Sequence, residues 1–152
     1  EIYTLSLHDA LPILNKLFKK EKKSNLDNNI LIAALLIHAA RIDENYTEIE
    51  KKIITKAIMD LNKFNIDKAK QILKDAEKKE EESNQIVEFT REIKKYSIEF
   101  RLKIIEIIWK IVYSDGTSDN YESNLIRRIC GLLYISDKDN GIIKTKVVNQ
   151  LK

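Results

Sequence analysis

The chain has 152 residues, of which 43% are hydrophobic and 34% charged, enough for one domain with its own core. Its single cysteine, Cys130, excludes an internal disulfide and any cysteine-based metal site within one chain, and no apolar run reaches the roughly 18–20 residues of a membrane span. The formal charge is +3, with the basic excess gathered in Lys16, Lys19, Lys20, Lys22 and Lys23, so it describes a tail and not a nucleic-acid-binding face. No signal peptide is visible, and a cytoplasmic protein is the expectation.

Residues 1–13, EIYTLSLHDALPI, resemble at every position the conceptual translation of a common short-read sequencing adapter. The alternative is a short amphipathic helix of native origin. On the first reading the segment is non-native and is set aside from fold reasoning. Residues 14–28 form a basic tail, in which Leu14, Leu17 and Phe18 among lysines suit weak membrane-surface contact through residues 14–23. A solvated lysine-rich tail is the simpler reading, because three apolar residues bury little area.

Residues 29–152 read as a single helical domain. From Asn29 the pattern turns strongly apolar, with Ile30 to Ile37, Ala39 and Ala40 forming a helix buried nearly all round and ending near Arg41. Thr47 to Phe64 predicts a helix with Ile49, Ile53, Ala57, Ile58 and Leu61 on one inward face. Asn65 interrupts, and Ile66 to about Glu82 predicts another, with Ile66, Ala69, Ile72, Leu73 and Ala76 inward. Ser83 or Asn84 can cap the next, whose apolar positions are Ile86, Val87, Phe89, Ile93 and Tyr96. The stretch from Ile98 to Val112 is apolar nearly all round, which makes it the central helix of the bundle. It breaks at Ser114-Asp115-Gly116. An amphipathic helix with Tyr121, Leu125, Ile129, Leu132 and Leu133 follows, then a last one from about Asp137 with Ile142, Ile143, Val147, Val148 and Leu151. Nothing alternates with a period of two. The expectation is an all-α fold of about seven helices.

Two segments match at an offset of 72 residues: Asp43 to Glu50 aligns with Asp115 to Glu122. Each follows a buried helix and opens an amphipathic one, which suggests two related helix–turn–helix units about a pseudo-twofold axis. Chemically, the second copy places the carboxylates of Asp115, Asp119 and Glu122 on one turn and the helix start it feeds, a donor set suited to calcium or magnesium. The first copy offers Asp43, Thr47 and Glu50 and is one carboxylate poorer. An EF-hand is excluded, because its twelfth position falls on Ile126 or Ile54 where a bidentate glutamate is required. The competing structural reading is helix capping: Thr47-x-x-Glu50 fits a capping box, and Asp119-x-x-Glu122 is its close variant.

These residues resemble the TerB-like family associated with tellurite resistance. The match is carried by Val112-Tyr113-Ser114-Asp115-Gly116, by Asp119-x-x-Glu122, by Leu125-Ile126-Arg127-Arg128 and by Leu132 to Asp139, with the first-copy counterpart Ala39 to Glu50. The resemblance implies an all-helical, pseudo-symmetric fold whose acidic clusters hold divalent metal, in proteins of stress-response or membrane-linked assemblies. The first copy departs from the pattern, with Glu44 where a glycine is expected and Thr47 where an acid is expected.

Elsewhere, His38 reads as a hydrogen-bonded core histidine, Cys130 as a small buried side chain, and Trp109 and Phe100 as core or interface aromatics. Glu106 interrupts the central helix; it lies on an exposed strip or needs a partner such as Arg101, Lys110 or His38. There is no nucleophile–base signature and no glycine-rich phosphate loop. The reading is a non-enzymatic module that binds a cation and docks a protein partner, against an interaction domain whose acidic residues only cap helices.

Overall fold

A computed structural model describes residues 26–83, 85–115 and 120–151, except the side chain of Asn120. Among these residues the fold is all helical: α1 (26–40), α2 (Glu48–Asn62), α3 (Ile66–Glu82), α4 (Ile86–Ile93), α5 (Ile98–Val112), α6 (Asn120–Leu132) and α7 (Asp137–Gln150). Short 3-10 turns, Arg41–Asp43 and Tyr113–Asp115, follow α1 and α5. No described helix is long and apolar enough to cross a membrane. The adapter-like segment and residues 14–23 lie outside the described residues.

The boundaries follow local chemistry. Thr47 caps α2, Asn65 caps α3 by accepting the Lys68 amide at 2.8 Å, Ser97 caps α5 and Ser136 caps α7. Asn65, read as an interruption, is therefore a helix start. α2 stops two residues short of Phe64 because Lys63 adopts a left-handed conformation, φ 54°. α4 ends at Ile93, so Tyr96 lies in the turn that follows, where it stacks on Phe100 with centroids 4.5 Å apart. Gln85 occupies the position before α4 without a side-chain cap; Ser83 Oγ instead donates to Glu88 at 2.6 Å, and Asn84 lies outside the described residues.

As the apolar patterns predict, α1 and α5 are the two buried helices. Ile32 to Ile37, Ala39 and Ala40 are buried in α1, and Ile104 to Val112 in α5 apart from Lys110. α5 packs on α2, α6 and α7, while α2 also packs on α3 and α4 on α6. Fully buried side chains such as Phe89 and Ile108 contribute about 1.5–3 kcal/mol each through loss of apolar surface to water. The single cysteine is buried in α6, and burial pushes its thiol up to about 12.

Several apolar positions read as inward are exposed: Ile49, Ile66, Val87, Ile98, Tyr121, Ile142 and Leu151. Five of them are the first or second residue of a helix, and Leu151 follows the last residue of α7. Periodicity identifies the face of a helix but not where along its length the neighbouring helix stops. Ile142 differs, because it lies mid-helix in α7, an outer helix whose fully buried contribution is Val147 alone among the described residues.

Candidate functional site: the two acidic turns

The first turn is built at the end of α1. The chain tightens into the Arg41–Asp43 turn, and Glu44 then takes a left-handed conformation, φ 64°, its amide donating to the Arg41 carbonyl at 3.0 Å. This is the position at which the family pattern expects glycine, and the backbone needs what glycine supplies most cheaply. Asp43 Oδ1 accepts the Asn45 amide at 3.0 Å, locking the turn. Tyr46 then lies beneath two cations, Arg41 at 5.1 Å and Lys51 at 4.9 Å from the ring centroid. Its hydroxyl donates to Glu77 Oε1 at 3.4 Å. Burial, followed by the Glu77 charge, holds that phenol above its ordinary ionisation range.

Thr47 and Glu50 form a complete capping box. The Glu50 amide donates to Thr47 Oγ1 at 3.1 Å, and the Thr47 amide donates to Glu50 Oε2 at 3.0 Å. Glu50 is buried at 6% exposure, an uncommon setting for a carboxylate. Its ionisation is pushed up, first by burial and then by the charges of Asp43 and Asp115, while the Thr47 amide pulls the other way.

The described residues of the second turn match the first at two positions. Asp115 ends the 3-10 turn after α5 as Asp43 ends the one after α1. Glu122 is the third residue of α6 and is buried at 7%, as Glu50 is the third residue of α2. Asp119, the third expected ligand of this copy, lies outside the described residues. The two turns are also drawn together: Asp115 from the second acts on Glu50 of the first, and the Arg41–Asp43 turn packs against α6. Among the described residues no three acidic, histidine or cysteine side chains form a group already arranged to hold a metal ion.

A pattern search along the sequence misses two networks. His38 Nδ1 lies 3.2 Å from Glu80 Oε1, and Arg41 pairs with the other oxygen of the same carboxylate, tying the end of α1 to α3. His38 is thus a hydrogen-bonded histidine, as expected. Glu106 is not on an exposed strip: it is buried, with Lys146 at 3.1 Å, Lys103 at 3.3 Å and Lys110 at 3.6 Å. Of its expected partners only Lys110 is present. Arg101 instead donates to the carbonyls of Leu133 at 2.6 Å and Tyr96 at 3.1 Å. Spacing along one helix could find Lys103 and Lys110, but Lys146 belongs to another helix and gives no local signal.

A family model described as tellurite resistance protein TerB matches residues 29–145. The chain belongs to the TerB family. The match takes in both acidic turns and every helix except the end of α7 and the first residues of α1. No curated protein and no solved structure matches the chain.

Proposed function

We propose that this TerB-family chain is a non-enzymatic module whose two acidic turns together hold one divalent cation, calcium or magnesium, and which docks a protein partner in a stress-response or membrane-linked assembly. The observation that carries the cation reading is the packing of the Arg41–Asp43 turn against α6, the helix that follows the second acidic turn. Two aspartates 72 residues apart in sequence, Asp43 and Asp115, both press their charge on one buried carboxylate. Like charges gathered in a partly dry site are costly to one another, and a hard cation is the partner that turns that cost into binding. Carboxylate oxygens are the donor chemistry such a cation selects. Asp115, Asp119 and Glu122 of the second copy would hold it, with Asp43 and Glu50 of the first as the weaker contributors.

A second reading has its own observation. The Thr47–Glu50 capping box is complete without any ion, so the acidic residues serve helix starts and the module acts through its surfaces alone.

Melting temperature with and without millimolar calcium, magnesium or manganese, beside Asp115→Asn, separates the two. A ligand that binds only the folded chain adds about 2.7 kcal/mol of stability at a hundredfold excess over its dissociation constant. A rise in the wild type that disappears in Asp115→Asn supports the cation. No rise with any of the three ions leaves the capping reading.

A further inference from the structure

Two of the exposed apolar residues, Ile49 and Leu151, are far apart in the sequence and line the same groove. The groove runs between α2 and α7 over α5, encloses about 530 Å³, and has Ile53, Leu61 and Ile107 among its apolar lining. Along α2 it extends from Ile49 to Leu61, about 18 Å at the rise of a helix, which is the length of roughly three helical turns. It is a trough and not an enclosed chamber: Ile49 is 59% and Leu151 58% exposed. Small-molecule sites bury most of their ligand's surface, whereas the apolar face of an amphipathic helix needs only an open channel.

The surroundings are basic. Lys56, Lys103 and Lys110 line the groove, and Lys146 joins Lys103 and Lys110 around Glu106. Counting Asp60 of the lining and the Glu106 carboxylate that three of these lysines surround, four lysines stand against two carboxylates, an excess of two positive charges beside an apolar floor. An incoming helix with acidic residues flanking its apolar stripe meets this excess, and a basic one is repelled. The chain's own lysine-rich segment 14–23 is therefore the wrong occupant.

We propose that the groove between α2 and α7 is a docking site for an acidic amphipathic helix of a partner protein. The partner presents apolar side chains at i, i+4 and i+7 to Ile49, Ile53, Leu61, Ile107 and Leu151, with aspartate or glutamate beside them facing Lys56, Lys103 and Lys110. This deepens the reading of the chain as a partner-docking module and rests on that part of it, but not on the cation, since the groove uses none of the acidic-turn carboxylates.

The test is to pan a displayed library of helical peptides of about 16 residues against the full chain, in calcium and in chelator, and then against Ile49→Glu and Lys56→Glu. Both positions are exposed, so neither change disturbs the core. The expected result is enrichment of sequences with one apolar stripe flanked by acidic residues, each binding Ile49→Glu about tenfold or more weakly, with Lys56→Glu reducing affinity and steepening no salt dependence. Enrichment of basic or uncharged sequences, binding unchanged in Ile49→Glu, or no enrichment at all overturns the proposal. So does a wild-type dimer that Ile49→Glu dissolves, which would make the groove a self-interface. Panning reads the groove and melting reads the acidic turns, so the two readings fail separately.

Discussion

The Glu106 carboxylate lies 3.1 Å from the Lys146 ammonium and so joins α5, the most buried stretch of the second half, to α7 at the edge of the bundle. Burial alone would raise the pKa of Glu106, but hydrogen bonds from Lys146 and Lys103 and the nearby charge of Lys110 more than offset it, and the carboxyl is held below its ordinary value of 4.5. A depressed pKa contributes stability that is present above the ordinary value and lost as pH falls through the lower one. Glu106→Gln should therefore destabilise the fold by about 1–2 kcal/mol at neutral pH, discounted because the lysines are half exposed. Lys146→Met, which removes one of three partners, should cost under about 1 kcal/mol. Urea midpoints at pH 7 and below pH 4 check both, and a Glu106→Gln penalty that persists undiminished in acid would count against the ion network.

The capping box makes a sharper local claim. Thr47 Oγ1 accepts the Glu50 amide at the start of α2, and that helix packs on both α3 and α5. Thr47→Ala leaves the amide without its side-chain acceptor and should cost about 1 kcal/mol, whereas Thr47→Ser should be close to neutral. Thermal melts in a chelating buffer measure this without interference from any cation. An unchanged midpoint in Thr47→Ala would mean that water satisfies the amide equally well.

The helical class, the order of the helices and the two buried helices were legible because apolar spacing repeats over many residues in α1 and α5. The acidic turns were legible as a repeat, since Asp43 and Asp115 occupy matching positions after matching turns. Their convergence on Glu50 was not, because no spacing within one copy encodes the distance to the other. For Glu106 the sequence could not separate an exposed strip from a paired, buried carboxylate, for a related reason. One charged residue in an apolar helix looks like an exposed stripe, and only the placement of Lys146 on α7 makes its burial tolerable. Ile49 and Ile66 failed through their position in the first turn of a helix, not through a wrong face.

Glu44 carries backbone strain that a single change can relieve. Its φ of 64° is left-handed, a region costing a residue with a side chain about 1 kcal/mol or more. Glycine removes that strain but loses more entropy on folding, so Glu44→Gly should gain a net of about 0.5–1 kcal/mol. The change also brings the first copy closer to the Asp-Gly of the second, Asp115-Gly116. Differential scanning calorimetry should find a higher midpoint, and a lower one would mean that the Glu44 side chain contributes more than its backbone costs.

Glu50 offers the test that joins stability to the acidic turns. Burial and the charges of Asp43 and Asp115 raise its pKa above the ordinary 4.5, and the opposing Thr47 amide is outweighed. The folded chain therefore holds this proton more tightly than the unfolded chain, so the group's contribution to stability is fully present below the ordinary value and is lost as pH rises through the raised one. Glutamine preserves the box, since its side-chain carbonyl accepts the Thr47 amide, and it removes the charge. Glu50→Gln should accordingly be more stable than the wild type at neutral pH in chelator, with the two melting curves converging as the pH falls below the ordinary value. Adding calcium reverses the comparison if the turns bind a cation, because the wild type then gains a neutralising partner that the variant has lost. Parallel responses of the two proteins to calcium would leave Glu50 as a strained cap and nothing more.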